Sequence, residues 1–487
     1  MIMFLALAAL GATTPLVDAV RQGDVPSVRA LLKTGADVNQ PEGDGATPLH
    51  WAAHVDSVEL VRLLLSAGAS PQAANDLGIT PVHLAAANGN VGTLRLLLEK
   101  RANANAAAAS GVTPLMEASR SGSVDAVRLL LAHGAQVNAR ETAREQTALM
   151  WAVSRQHADI VQVLLENRAD VHARSQARPV TVMLDRGPRR AVRTAARDAH
   201  QIQAGGSTAL IFAAQTGSIA SARLLLAAGA NANDVGGDGK SVLVMAAFSG
   251  QTAVATLLLD SGADPNAAGA GYTALHAAAL RGDVVLVRAL LGRGANPHAT
   301  LTKGSPVRRF GSQWALSSPL LGATPLVVAA AYLEVPVMRA LLEGGAQVDA
   351  RLPNGIGALH LAAGASIEKE ARPSDLARWN IIDSDSPEIP RPADEVTAAV
   401  RLLLDAGANV AHATDSGDTA LHAAAATNQP MAIALLVAKG APLDVKNKGG
   451  QTPLALTLPR KPEGRGSGFA GYPEAEAVLR KLGAQPF

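Results

Sequence analysis

The chain contains no cysteine, and only 3% of its 487 residues are aromatic. Without thiols there is no disulfide framework, no thiolate zinc or iron–sulfur site and no cysteine nucleophile. A thiol-free chain also suits oxidising and reducing compartments alike. With so little Phe, Tyr and Trp, the core has to be assembled from Ala, Leu and Val, small side chains that favour close helix-on-helix packing. Excess charge is missing too: 43 Lys and Arg stand against 41 Asp and Glu, for a net charge of +2. That balance excludes a chain held on nucleic acid or anionic lipid by bulk charge and leaves such roles to local patches. No apolar run reaches the roughly 20 residues that span a bilayer. The N-terminal run Met1–Ala12 (MIMFLALAALGA) is too short for that and reads instead like a signal peptide, with Ala9 and Gly11 suitably spaced for cleavage but no Lys or Arg in front. Export to the periplasm or medium is the expectation. The alternative is a cytoplasmic chain whose apolar end packs on the segment that follows. What the chain has in quantity is apolar residues, 48%, which argues against wholesale disorder.

Periodicity organises these residues. Thr-Pro-Leu or a close variant starts at Thr14, Thr47, Thr80, Thr113, Thr147, Thr208, Ser241, Thr273, Thr324, Gly357, Thr419 and Thr452, mostly at intervals of 33. A second anchor keeps the same phase: Gly-Ala, or Arg-Ala twice, follows 21 residues later in ten of the units, as at Gly35, Gly68, Arg101, Gly134 and Gly229. In TPLHWAA, Thr47 reads as an N-cap and Pro48 as the first helical residue, where its missing N–H costs nothing. A second helix, Ser57 to Gly68, places Val58, Val61, Leu64 and Leu65 on one stripe and ends at a left-handed glycine. A polar connection of about twelve residues follows, with turn signals such as Asn75-Asp76-Leu77-Gly78 or Asp415-Ser416-Gly417. One such helix pair cannot bury its own apolar face, so neighbours must stack into a solenoid.

The repeated TPLH with AA following (Thr47–His50), TPVHLAA (Thr80–Ala86), TALHAAA (Thr273–Ala279 and Thr419–Ala425) and the GADVN and GANAN tails (Gly35–Asn39, Gly229–Asn233) resemble the ankyrin repeat, of the multi-repeat type found in bacteria. The competing 34-residue helical repeat, tetratricopeptide, wants Trp, Gly and Tyr at set positions that are absent here. The resemblance implies an all-α solenoid of about twelve helix pairs, with connections forming hairpin-like fingers, essentially no multi-stranded sheet, and protein binding on a concave face. It also implies that His50, His83, His276, His360 and His422, the fourth residue of their motifs, are structural and bonded to the cap residue, as with Thr47, Thr80, Thr273 and Thr419. Arg101 and Arg168 depart from the pattern by replacing the capping glycine, at a cost of roughly 1 kcal/mol or more each.

The two anchors also locate three insertions. The chain then divides into the apolar end at 1–12, repeats one to five over 13–174, a finger insertion at 175–203, repeats six to eight over 204–300, a second finger insertion at 301–320, repeat nine and the start of ten over 321–364, an insertion between two helices at 365–395, and the remainder with a C-terminal cap over 396–487. From Arg174 to Gln203 seven Arg face Asp185 and Asp198, net +5. Here Gly187-Pro188 reads as the start of a short helix with Val192, Ala195, Ala196 and Ala199 on its apolar side. The second insertion carries Lys303, Arg308 and Arg309 with no acid, plus Phe310 and Trp314. The third has eight acids against four bases. Charge runs of this kind are commonly just solvated loops. The sharper reading is a basic gripping surface for another, acidic protein. It consists of Arg178, Arg186, Arg189, Arg190, Arg193, Arg197, Arg308 and Arg309 with Trp314 as an anchor, since Arg and Trp dominate interface hot spots.

No catalytic or metal-binding motif in the sequence is complete. There is no HExxH, and repeat histidines a full unit apart cannot share one zinc ion, so no metal and no cofactor is expected. Gly239-Lys240-Ser241 resembles the end of a phosphate loop, but the glycine required five residues earlier is Asp234. Ser366 and Lys369 have Ser-x-x-Lys spacing without companion motifs. Trp51 and Trp151 stand where other repeats carry Leu84 or Ala277, which reads as a half-buried repeat position. The expected class is therefore a non-enzymatic, monomeric protein-binding scaffold. Binding of nucleic acid or another polyanion through the Arg-rich finger is an alternative, weakened by the absence of an aromatic in that segment to stack bases. Regulation or inhibition of an enzyme partner is a second alternative. Truncation after Gly450 should uncover Leu435, Leu436 and their neighbours and cause aggregation, read by light scattering, because terminal repeats supply the polar outer face.

Overall fold

The structure, a computed structural model, describes residues 14–184, 199–304, 306–307, 320–365, 391–459 and 470–485. Among these, every sequence repeat forms a pair of helices, an inner one opened by the Thr-Pro motif and an outer one after it. The chain separates into two compact units. The first takes the described residues of Met1–Arg178 and Gly205–Asp234, and the second those of Pro179–Ala204 and Val235–Phe487. The first holds Pro15–Arg21 with Val25–Lys33, Pro48–His54 with Val58–Ser66, Pro81–Asn88 with Val91–Glu99, Pro114–Ser121 with Val124–Ala132, Ala148–Ser154 with Ala158–Glu166, and Ala209–Thr216 with Ile219–Ala227. The second holds Val242–Ser249 with Thr252–Asp260, Ala274–Arg281 with Val284–Gly292, Pro325–Ala331 with Val335–Glu343, Ala358–Ala363 with Ala393–Asp405, Ala420–Ala425 with Pro430–Ala438, and Pro453–Thr457 with Pro473–Lys481.

One repeat shows why the sequence folds this way. Thr80 is extended (φ −114°, ψ 164°), Pro81 starts the inner helix, and Gly89 ends it in the left-handed region at φ 68°. Asn90 then caps the outer helix, its side-chain oxygen accepting from the Thr93 N–H at 2.9 Å. From Pro81 to Ala86 every inner-helix residue is buried, which is possible only because Ala and short side chains let a second repeat lie on each side. The outer helix buries one stripe, Leu94, Leu97 and Leu98, and leaves Arg95 and Glu99 in water. Each such Leu contributes about 1.5–3 kcal/mol when covered, and the cover comes from the neighbouring repeat.

The stripe of the Ser57–Gly68 segment departs from expectation by one residue. Leu60, Val61, Leu64 and Leu65 are buried, while Val58 is only half-buried. As the first helical residue, Val58 precedes the covered turn and lies against the start of the next outer helix at Gly92.

A larger departure is a three-stranded sheet where none was expected. Strand β1 (Arg178–Leu184) lies between β2 (Ala199–Ala204) and β3 (Pro306–Val307). β1 and β3 are antiparallel, with Met183 opposite Val307 and Leu184 opposite Pro306. At these positions backbone of one insertion pairs with backbone of the other, as chain outside a helix must find other partners for its N–H and C=O groups. Along β2, Gln201 and Gln203 are exposed while Ile202 and Ala204 are half-buried, the period of a sheet with one covered face. Ala199, expected on the apolar side of a short helix, is the first residue of β2 instead. The rest of that segment, 185–198, lies outside the described residues. The acidic insertion is also shorter at its end than the repeat spacing implied. Its following helix already begins at Ala393 and runs 13 residues, where the other outer helices run 9.

Arg101 and Arg168 do take the left-handed conformation of the glycine they replace, each at φ 64°. Both are exposed, so no packing opposes their removal. Arg101→Gly and Arg168→Gly should each raise stability by about 0.5–1 kcal/mol, seen as a higher denaturation midpoint in urea with unchanged slope.

Candidate interaction surface

The buried polar residues of the repeats are committed to holding the stack. The His50 Nδ1 accepts from the Thr47 N–H at 3.0 Å and lies 2.9 Å from the Thr47 hydroxyl. A backbone N–H is always a donor, so the ring proton sits on Nε2, which donates to the Ile79 carbonyl in the next finger at 2.9 Å. His83 reaches Val112, His276 reaches Ala323, His360 reaches His412 and His422 reaches Gln451 in the same way, at 3.0–3.1 Å. A second set of stitches comes from the last residue of the GADVN tail. Asn39 donates to the Gly68 carbonyl at 3.1 Å and accepts from the Ser70 N–H at 2.7 Å, and Asn105 does the same with Gly134 and Gln136. Sequence reasoning found the tails but gave this residue no task. The signal was present in the regular return of Asn, or another side chain with a carbonyl oxygen, at that position.

The first insertion is closed at its base. Ser175 donates its N–H to the Ser207 carbonyl at 3.0 Å, and Ser207 returns its N–H to the Ser175 hydroxyl at 3.0 Å. Arg174 donates to the Gly206 carbonyl at 2.8 Å and forms an ion pair with Asp234, whose other oxygen accepts from the Thr208 hydroxyl at 2.6 Å. Gly205 is required here: at φ +89° any Cβ would stand 2.0 Å from the Gln176 carbonyl oxygen. Arg174 is therefore spent at the base and adds nothing to an outward-facing charge. The second insertion closes likewise. The Leu301 N–H donates to the Ala323 carbonyl at 2.8 Å, Gly322 donates back to Leu301 at 2.7 Å, and Leu301 and Leu320 are buried. The Thr302 N–H ties it to Gly271 of the preceding finger at 2.9 Å.

Of the residues assigned to a gripping surface, Arg178 is exposed at the start of β1. Arg186, Arg189, Arg190, Arg193, Arg197, Arg308, Arg309 and Trp314 lie outside the described residues. Pairing of β1 with β3 joins the two insertions at one place, with Met183 opposite Val307 and Leu184 opposite Pro306. Trp51 is half-buried and part of a cluster that sequence reading missed. The Arg21 guanidinium lies 3.9 Å from the Trp51 ring centroid, and both Arg21 (2.9 Å) and the indole N–H (2.5 Å) donate to one oxygen of Glu42. Lys240, the lysine of the incomplete phosphate loop, is paired with Asp238 at 2.5 Å in a finger turn. Among the described residues no group of His, Asp and Glu is arranged to hold a metal ion, and no helix is long and apolar enough to cross a membrane.

Comparison with known proteins fits this geometry. A model for three consecutive ankyrin repeats matches residues 5–75, 68–141, 103–175, 184–269 and 238–301, and a single-repeat model matches 416–448. Together they cover more than half of the chain. The chain belongs to the ankyrin repeat family. No curated protein matches it. Repeats nine and ten, which those models leave out, carry the same helix pairs at Pro325–Glu343 and Ala358–Asp405. Ankyrin repeats are protein–protein interaction modules, and proteins built from them are typically non-enzymatic.

Acid should unstitch these ankyrin repeats. Burial pushes the imidazoles of His50, His83 and His422 below their ordinary value, and those of His276 and His360 down to about 4. A folded-state value below the unfolded 6.5 means that the stabilisation is whole above pH 6.5 and is lost as pH falls toward 4. For His276 or His360 the loss amounts to about 3 kcal/mol. Thermal unfolding followed by circular dichroism should show a midpoint that drops steeply between pH 6.5 and 4. His276→Gln should lower the midpoint at pH 7 and make that acid slope shallower.

Proposed function

We propose that this protein is a non-enzymatic scaffold that holds an acidic segment of another protein on its ankyrin array and its two basic insertions. The observation that carries the reading is the β1–β3 pairing, by which two net-positive insertions from different repeats enter one sheet. Their charges have the same sign: Ser175 to Gln203 has six Arg and two Asp, and Leu301 to Leu320 has Lys303, Arg308 and Arg309 without an acid. An acidic partner is steered by such a field and gains from every Arg contact that becomes desolvated. Arg186, Arg189, Arg190, Arg193 and Arg197 carry the larger share, Arg178, Arg308 and Arg309 the smaller, and Trp314 is the aromatic anchor. Against a nucleic acid stands the lack of any aromatic from Arg174 to Gln203 on which bases would stack. The apolar Met1–Ala12 supports export, and a mass measurement of protein recovered from the periplasm should find that segment removed.

The test is capture of the partner from the native cell fraction, followed by titration at two salt concentrations. Replacing Arg189, Arg190 and Arg193 together by Glu should weaken binding by about 2 kcal/mol or more, and the effect should shrink at high salt. Arg308→Glu with Arg309→Glu should act in the same direction with smaller size. Lys at Asp383 and Asp385, in the acidic insertion, should leave binding alone. Loss of binding in that last variant with retention in the Arg variants would overturn the reading.

A further inference from the structure

Two seams of the first compact unit carry the same three residue types in the same register. Arg21 and Arg120 stand seven residues after their cap threonines, Thr14 and Thr113, while Trp51 and Trp151 stand four residues after theirs, Thr47 and Thr147. Glu42 and Glu141 each open the finger turn between the two repeats, their N–H groups donating to the Ala46 and Gln146 carbonyls at 2.8 and 3.1 Å. We infer that the second seam, between repeats four and five, is an open copy of the first and takes a carboxylate from an acidic side chain of a partner protein. The site lies on the helical array and uses none of the insertion residues. It rests on the functional reading above only in taking the partner to be a protein with acidic side chains.

In the first seam the set is complete. Arg21 (2.9 Å) and the Trp51 indole N–H (2.5 Å) donate to one oxygen of Glu42, whose side chain is 10% exposed. In the second the carboxylate is committed elsewhere. The finger from Gly134 to Thr147 is one residue longer than that from Gly35 to Thr47, and its turn places Glu145 at φ 53°. Glu141 caps this longer turn, accepting from the N–H groups of Ala143, Arg144 and Gln146 at 2.7–3.1 Å. Trp151, itself half-buried, is left with a buried indole N–H that has no acceptor among the described residues. Buried donors are nearly always paired, so this one marks a place for an acceptor from outside the chain. Cations are present to receive a charged one. Arg120 gives Nε and one Nη to Glu117 at 2.9 and 2.5 Å, and its other Nη is unbonded among the described residues. Arg155 lies one helical turn beyond Trp151, hence on the same face, where the first seam has Val55. It is exposed, has no ion-pair partner among the described residues, and offsets the charge of Glu117. An indole N–H and a guanidinium can donate to one carboxylate together, as they do to Glu42, and such charge-assisted bonds strengthen where water is partly excluded.

The scarcity of tryptophan makes the site directly readable, since the chain has 4. The full chain is isotope-labelled in its indole nitrogens, and Trp151→Phe and Trp51→Phe assign two of the N–H resonances. The probe is a capped alanine pentapeptide with glutamate at its centre, beside the same peptide with glutamine and beside propionate. The Trp151 resonance should move saturably with the glutamate peptide and respond about tenfold more weakly to the glutamine peptide and to propionate, while the Trp51 resonance stays in place. Arg155→Gln should weaken binding of the glutamate peptide about threefold. Replacing Arg189, Arg190 and Arg193 together by Glu should leave the response unchanged, which separates this site from the insertions. In Glu42→Ala the Trp51 resonance should begin to follow the same peptide, because loss of its own carboxylate reproduces the second seam. A Trp151 resonance that ignores the glutamate peptide, or moves as readily with the glutamine peptide, overturns the carboxylate site, as does loss of its response in the triple Arg variant. A silent Trp51 in folded Glu42→Ala overturns the relation between the seams, and equal affinity for propionate overturns a protein segment as the source. A Trp151 response that holds while partner binding ignores the insertion arginines overturns the role given to the insertions and keeps this site.

Discussion

The hydrogen bond from the buried histidine of one repeat to a carbonyl of the next finger is the constraint to which the rest of the structure conforms. It needs a neutral ring with its proton on Nε2, a cap residue whose N–H occupies Nδ1, and a following finger at one set height. The bond survives both kinds of insertion. His50 reaches 29 residues ahead and His276 reaches 47, each to the residue before the next cap threonine, while His360 reaches 52, to His412 earlier in the following finger. Extra chain is therefore admitted only where it leaves this bond and the asparagine stitches intact, at a finger tip or between two helices.

The same constraint explains the composition. An inner helix buried on nearly all sides, as from Pro81 to Ala86, leaves no room for large side chains, so Ala dominates and aromatics are rare. Where an aromatic does occur, something local accommodates it. Trp51 stands on the second inner helix, with Arg21 over its ring and Glu42 on its N–H. An indole with a polar end and a flat face is suited to such a half-covered place. Positive-φ residues mark the other geometric demand, the sharp exit from each helix. Glycine meets it at most positions, and Arg101 and Arg168 meet it with strain.

The insertions leave the repeats at bases closed by backbone bonds, Ser175 to Ser207 and Leu301 to Ala323, and connections of this kind commonly carry binding residues. A charge count alone treats all their arginines as equivalent, yet Arg174 is bound to Asp234 and Gly206 and serves the fold. The remaining positive charge belongs to two insertions whose strands β1 and β3 pair.

Most of the fold was legible in the sequence because a repeat states its rule many times. Thr-Pro at a helix start, Gly at its end and a spacing of 33 are local requirements, and twelve copies separate them from chance. The structural role of His50 could be read only through resemblance to a family, since a lone histidine in an apolar run does not announce its partner. Three things were decided by tertiary structure alone. The buried stripe of the Val58–Ser66 helix starts at Leu60, because Val58, its first residue, lies against Gly92 at the start of the next outer helix and is only half covered. Arg174 is a base residue, because Asp234 lies far along the chain and arrives beside it only when the next repeat folds. The strand at Ala199–Ala204 and its neighbours form a sheet because β1 meets β3 across three repeats of intervening chain. Local propensity determines helices that nucleate within one repeat. A strand pair depends on which distant backbone comes within hydrogen-bonding distance, and only the stacked repeats settle that.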